Sequence, residues 1–335
     1  MRLLIDDRWI GPHGIGRFAR EVIARLPPGL SMPYGLGPSS PVDPVWTALQ
    51  LARFAPDVYF EPGYNPPLAG RTPFVFTLHD LIHLQVPEEA STAKRLYYER
   101  IVRPAVRRAY RVFTVSEFSK REIVAWSGAA PAQVEVVGNG VSAGFTADGP
   151  RFALDRPYFL YVGNRRPHKN VRRLLAAFAA SGCAGEVALM LSGAPDVDAA
   201  AWVRAAGLDD VAVRFAGPIA EARLPDYYRG AMALVIPSLY EGFGLPALEA
   251  MACGTPVLAS DRSSLPEVVG EAGVLVDPED TRAIGAALKH LAQDETLRAD
   301  LAARGRTRAA CFEWDTTARR VFVALESAAR TRRSR

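Results

Sequence analysis

"PSLYEGFGLPALEAMACGTPVLAS", residues 237–260, decides how the rest of the chain is read. An apolar run closes at Pro237-Ser238, Gly242 and Gly244 bracket Phe243, and Glu241 and Glu249 stand eight apart. A strand ending near Ile236 is followed by Pro246, which suits the first position of a helix because its missing N–H would have no helical partner there. The two glycines let the chain turn its amides outward without Cβ obstruction. Amides of Phe243, Gly244 and Leu245 at a helix N-terminus form a place for anionic oxygen, so the stretch can hold a phosphate. On their own the glycines equally fit a tight strand-to-helix turn with a solvated Glu249.

Working outward, short apolar runs recur between helix-like stretches. The first half offers "LLID", "DVYF", "FVFTLHD", "RVFTVS" and "VEVVGNGV"; the second offers "YFLYVGN", "VALMLSG", "VAVRFAG", "ALVIPS", "PVLAS" and "AGVLVD". Continuous rather than alternating apolar runs predict strands buried on both faces, hence parallel sheets under helices. The alternation of the two signals predicts a doubly wound α/β architecture. "NGVSAGFTADGPRFALDRP" lacks periodicity and reads as an interdomain linker. The expected division is an N-terminal domain over 1–148, a C-terminal domain over 149–311 and a closing helix over 312–330 that returns to the first domain. Two such domains leave a cleft at the carboxyl ends of their sheets, where ligands of open α/β folds bind.

Composition narrows the classes. The 335 residues suit two domains, and 49% hydrophobic with 23% charged residues is the balance of a water-soluble globular protein. A net charge of +4 is far from a nucleic-acid binder's imbalance. Cys183, Cys253 and Cys311 are too dispersed for a disulfide framework or a zinc site, which favours a reducing cytoplasm. "MRLLIDD" has too few apolar residues for a signal peptide, and no run is long enough to span a bilayer.

"EGFGLPALEAMACGTPVLAS" with "LPEVVGEAGVLVDPED" closely resembles the two-glutamate signature of glycosyltransferase family 4, retaining enzymes of the GT-B fold, and is most similar to bacterial mannosyltransferases of polysaccharide assembly. The resemblance runs over nearly the whole chain and is strongest from Tyr158 to Asp277. It implies two Rossmann-like domains, with Glu241 contacting the transferred sugar, Glu249 holding the nucleotide ribose and the amides of Phe243, Gly244 and Leu245 gripping the diphosphate.

Further segments match the family residue by residue. "YVGNRRPHKN", 161–170, supplies Lys169 to neutralise the departing diphosphate. Where most members carry arginine directly after the glycine this chain has Asn164, and the arginine contribution falls to Arg165 or Arg166. "IGPHGIGRFAREV", 10–22, reads as a glycine loop before a helix; Gly14, Gly16 and Arg17 match the family's donor-approaching loop, and His13 is expected to be incidental. In "FVFTLHD" the resemblance places His79 at the donor sugar, while His83 is expected to be structural. Ser116 is expected to cap a helix. Pro218 and Ile219 match the segment whose backbone borders the nucleobase.

The segment 94–121 holds nine Lys/Arg against two acidic residues. It reads either as one buried face with solvated arginines or as a peripheral contact with anionic lipid. The expectation is therefore a cytoplasmic glycosyltransferase, peripheral at the inner membrane face, that moves a hexose with retention from a nucleotide sugar to a glycan or lipid-linked saccharide hydroxyl. GDP-mannose is the expected donor and UDP-glucose or another nucleotide sugar the alternative. A sugar-nucleotide epimerase and a non-catalytic sugar-nucleotide-binding protein are the other readings. Neither a cofactor, a metal nor a nucleic-acid partner is expected.

Overall fold

The computed structural model describes residues 1–33 and 35–333. The chain divides into two compact units, one of residues 1–140 with 313–335 and one of residues 141–312. Among the described residues, each unit holds one six-stranded sheet in which every neighbouring pair is parallel.

In the first unit the strands are β1 (Leu3–Ile5), β2 (Leu30–Ser31), β3 (Val58–Glu61), β4 (Phe74–Thr77), β5 (Arg111–Thr114) and β6 (Val134–Val136), in the order β2-β1-β3-β4-β5-β6. Leu3–Ile5, Val58–Glu61 and Phe74–Thr77 are buried throughout, as helices on both faces of a parallel sheet require. The edge strand β2 was missed by the apolar-run reading. Its two residues are exposed, so no burial pattern marks them. Helix α1 (Gly14–Ile23) buries Phe18, Ala19 and Val22; α2 (Asp43–Phe54) and α3 (Glu117–Ser127) follow. The C-terminal helix Trp314–Arg333 packs in this unit. Its positions Trp314, Ala318, Val321 and Leu325 are all buried. A Cβ on Gly140 would lie 2.2 Å from the Trp314 backbone nitrogen, so the helix start sits on bare backbone at that point.

The second unit contains β7 (Tyr158–Tyr161), β8 (Ala188–Leu191), β9 (Val213–Phe215), β10 (Ala233–Ile236), β11 (Val257–Ser260) and β12 (Val274–Val276), in the order β12-β11-β10-β7-β8-β9. Helices α4 (Val171–Ser181), α5 (Val197–Ala205) and α6 (Leu245–Ala252) follow β7, β8 and β10. Leu174, Leu175 and Phe178 of α4 share a core with Phe159, Leu189 and Val235 of the sheet. The order places β7 and β10 side by side at the centre, the topological switch where the loops after neighbouring strands splay apart.

The irregular stretch read as a linker is fastened to this second unit. Arg229 donates to the carbonyls of Thr146 (3.0 Å) and Pro150 (2.7 Å), and Phe152 stacks on Tyr227 with ring centroids 4.2 Å apart. Lack of periodicity correctly marked missing secondary structure, but aromatic and guanidinium contacts order the segment.

Candidate functional site

The loops leaving β7, β10 and β11 meet at one point. After β7 the chain turns through Gly163 (φ +151°) and a short turn at Pro167–Lys169, reaching Asn170 in the left-handed region. Asn170 is buried, and its amide nitrogen donates to Pro237 O (3.0 Å) and Pro278 O (2.7 Å). One side chain thereby binds the loop after β7 to those after β10 and β12. That brace delivers Lys169, whose Nζ donates to Glu241 Oε1 at 2.7 Å.

Glu241 is held on four sides. Ser238 Oγ donates to the same Oε1 at 2.7 Å, so Oε2 accepts from neither partner. The Glu241 amide donates to Ser263 Oγ (3.0 Å) and its carbonyl accepts from Ser264 Oγ (2.8 Å). Ser263 has φ +58°, a strained conformation for a residue with Cβ that persists where surroundings over-determine it. The pair is only partly exposed, 20% for the Lys169 side chain and 13% for Glu241. A fixed cation and carboxylate therefore share a half-dry site.

Next to them Gly244 (φ +98°) caps α6, and a Cβ there would lie 2.6 Å from Leu265 Cδ2. Phe243 is buried, edge-on to Phe312 at 5.9 Å, which fixes the backbone ahead of Leu245. Pro246 is the second residue of α6, one place later than expected and still in the first turn. Glu249 is the fifth residue of α6. It is buried, and its Oε2 accepts from the Tyr228 hydroxyl at 2.9 Å.

The two arginines after Asn164 differ. Arg165 donates through Nε to Asp196 Oδ2 (2.8 Å) and through its terminal nitrogens to Ser192 O (2.9 Å) and Ala194 O (2.5 Å), and its guanidinium lies over Phe215. It thus pins the loop after β8. Asp196 also caps α5 through Ala199 N at 2.7 Å; this bond and Arg165 hold its carboxyl below the usual range. Arg166 is exposed, as is Asn164, whose Oδ1 accepts from the Arg166 amide at 3.2 Å. Pro218 is exposed and Ile219 half-buried after β9, beside the Gly193 N–H to Gly217 O bond of 2.9 Å.

In the first unit the glycine loop is shorter than expected. Gly14 opens α1 and Gly16 is its third residue. Gly16 is required because a Cβ would lie 2.3 Å from Gly11 O. His13 is not incidental: its Nδ1 caps α1 by accepting from Gly16 N at 2.9 Å. Arg17 is half-buried on the same helix. His79 Nε2 lies 3.0 Å from Pro62 O, so Nε2 carries the proton and Nδ1 the lone pair. Burial, opposed by that carbonyl and aided by His13, lowers its pKa to about 4, so the ring is neutral at pH 7. Phe18 meets it edge-on at 5.0 Å. His83 contacts Lys94 Nζ at 3.3 Å, and Ser116 caps α3 through Ser119 N at 3.1 Å.

A strand-end cation and carboxylate beside a glycine-capped helix is the pattern the family signature implies, and sequence comparison agrees. Residues 8–145 match the family model described as Glycosyltransferase Family 4, and residues 146–308 match Glycosyl transferases group 1. The O-antigen chain mannosyltransferase B of Escherichia coli is 34% identical over 72% of this chain and 67% of its own length. The chain belongs to glycosyltransferase family 4. Another family relative, a D-inositol 3-phosphate glycosyltransferase of Kineococcus radiotolerans, is 34% identical over 64% of this chain and 56% of its own length, so the match spans little more than half of that protein. Its fold is GT-B. Sucrose-phosphate synthase of Thermosynechococcus elongatus superposes with a TM-score of 0.79 at 22% identity, covering 96% of this chain and 97% of its own. HepE of Anabaena, solved with UDP and glucose, gives 0.74 at 20%, covering 98% and 100%.

Family-4 signature residues hid some of the machinery that holds them. Asn170, Ser238, Ser263, Ser264 and Tyr228 position the site, yet no spacing marks them. Only the run of Asn170 directly after Lys169 could have drawn notice.

Proposed function

We propose that this chain transfers mannose from GDP-mannose, with retention, to a hydroxyl of a glycan or lipid-linked oligosaccharide at the cytoplasmic face of a membrane. The observation that carries the reading is the Lys169–Glu241 pair at 2.7 Å beside the N-terminus of α6. In this reading Lys169 and the amides around Gly244 stabilise the diphosphate as it departs, where negative charge grows. Exposed Arg166, rather than Arg165 with its bonds to the loop after β8, adds the second cation. Glu241 Oε2 accepts from a sugar hydroxyl, and Glu249 takes the ribose when Tyr228 yields its bond. His79, neutral and fixed by Pro62 O, offers a polar contact to the sugar.

The bond from the anomeric carbon to phosphate oxygen breaks as the bond to the acceptor oxygen forms on the same face. The acceptor's proton passes to the departing phosphate oxygen. No carboxylate nucleophile is needed, unlike retaining glycosidases, and basic side chains with helix amides take the place of a metal. Similarity to the E. coli mannosyltransferase supports mannose. The UDP-glucose complex of HepE supports the second reading, a UDP-glucose donor. A thermal-shift panel separates them, because a ligand that binds only the folded state raises its midpoint. GDP-mannose and GDP should shift the midpoint and UDP-glucose should not. The reverse order would replace the donor, and no shift with any nucleotide sugar would overturn the reading.

A further inference from the structure

At the carboxyl ends of β1 and β3 the first unit holds a buried charged network that takes no part in the proposed transfer. Asp6 follows β1, Glu61 is the last residue of β3 and Asp43 the first of α2, and all three are fully buried. Arg8 Nε donates to Asp6 Oδ1 at 2.8 Å and its Nη1 to Asp43 Oδ1 at 2.7 Å. Those two acids therefore share one cation. Glu61 has no ion-pair partner among the described residues. The Gly63 amide donates to its Oε1 at 3.0 Å, and the Tyr59 hydroxyl lies 2.6 Å from its Oε2.

The hydrogens available fix the state of Glu61. The same Tyr59 hydroxyl lies 3.1 Å from Asp6 Oδ2. A phenol has one hydrogen and cannot donate to two carboxylates. Burial pushes the Tyr59 pKa well up, so the phenol keeps that hydrogen. One of the two acids then supplies a hydrogen of its own. Arg8 reaches Asp6, so the hydrogen belongs to Glu61: Glu61 Oε2–H donates to Tyr59, and Tyr59 donates to Asp6. Three ionised acids against one guanidinium would bury two uncompensated charges, which is costly. A neutral Glu61 leaves one, eased by Asn65, whose amide donates to Asp43 Oδ2 at 3.0 Å. Tyr64 and Tyr97 also face Glu61 and bring no cation. Burial first, then the charge of Asp6, holds the Glu61 carboxyl well above the usual carboxylate range.

The consequence reaches His79. Glu61 holds the Gly63 amide, the Gly63 carbonyl accepts from Thr77 N at 3.2 Å, and the Trp9 ring packs so closely that a Cβ on Gly63 would lie 2.2 Å from it. Between Glu61 and Gly63, Pro62 presents the carbonyl that receives His79 Nε2–H at 3.0 Å. We propose that Glu61 is a positioning residue kept as a neutral acid, whose hydrogen-bond chain through Tyr59 to Asp6 fixes the Pro62 carbonyl and, through it, the tautomer of His79. A contact of His79 with the sugar rests on the transfer reading above; the proton on Glu61 does not.

The test uses the full chain without donor. Infrared spectra at pH 7 of the parent and Glu61→Gln should differ by one protonated-carboxyl C=O band, present only in the parent. The glutamine amide reproduces a neutral acid, donating to Tyr59 and accepting from Gly63, so the thermal midpoint should hold. Nitrogen-15 spectra of labelled histidine, with His79 assigned by His79→Asn, should show the Nε2–H tautomer in both proteins and a tautomer mixture in Glu61→Ala. In nucleotide release, Glu61→Gln should stay within about twofold of the parent and Glu61→Ala should lose about tenfold or more, since an ångström of misplacement at a reacting site costs up to about 100-fold. No missing carboxyl band, a glutamine variant as impaired as alanine, or an unchanged His79 tautomer in Glu61→Ala would each overturn the proposal. Should Glu61→Ala not fold, the carboxyl band and the glutamine variant decide alone. The expected spectra without transfer from any nucleotide sugar would uphold this proposal and overturn the transfer reading instead.

Discussion

Replacing Lys169 with methionine keeps an unbranched side chain, one atom shorter, and removes its charge. The structure sets the size of the consequences. Glu241 Oε1 would lose its 2.7 Å ammonium partner and keep the Ser238 hydroxyl at 2.7 Å. Removing one partner from a largely sheltered, hydrogen-bonded ion pair costs about 1–3 kcal/mol of stability, and the solvent that reaches both groups favours the lower end. The loss in turnover should be larger, because the ammonium acts where charge develops on the departing diphosphate. About 100-fold or more is expected. Nucleotide-release kinetics and chemical denaturation on the same samples measure both. Glu241→Gln should also lose turnover while keeping the Ser238 bond, and the double variant should lose much less than the product of the singles, since the two act as one unit. Lys169→Met with near-normal turnover would refute the reasoning. A loss of stability without a loss of rate would make the pair a structural brace between loops.

Three further outcomes follow from the geometry. His79 is neutral in the fold with a pKa of about 4, against 6.5 when unfolded. Its contribution to stability is therefore full above pH 6.5 and falls as acid protonates the unfolded chain, by about 2 kcal/mol between pH 7 and 5; His79→Asn should show that much less acid sensitivity in denaturation midpoints, and an equal slope would contradict the assigned environment. Gly16→Ala would force a Cβ to 2.3 Å from Gly11 O and should cost about 2 kcal/mol or more, whereas Gly37→Ala, which meets nothing within 4 Å, should be nearly silent in the same melts. Transfer should persist in excess chelator; a collapse of rate restored by magnesium or manganese would bring a metal into the diphosphate site.

Much of the fold was legible because parallel strands buried on both faces leave continuous apolar runs. "YFLY", "ALML" and "ALVI" became β7, β8 and β10, all fully buried. The edge strand β2 was not legible, since two exposed residues paired by backbone alone carry no side-chain signal. In the site, Glu241, Lys169 and Gly244 stood out because charge and φ > 0 demand particular residue types. Asn170 and the serines around Glu241 did not, because a residue that braces through carbonyl bonds is defined by contacts at distant positions such as Pro237 and Pro278. Between Arg165 and Arg166 the sequence offered no choice, and only three dimensions reveal the bonds of Arg165 to Ser192, Ala194 and Asp196. His13, read as incidental, turned out to cap α1 because an imidazole nitrogen can take the place of the usual hydroxyl or carboxylate.

The most direct measurement follows the reaction itself by proton NMR, with GDP-mannose, a saccharide acceptor fraction and the full chain. The account predicts acceptor-dependent release of GDP and an α-configured product, both lost in Lys169→Met and Glu241→Gln. A β-configured product, or donor binding with no nucleotide release on any acceptor, would contradict it.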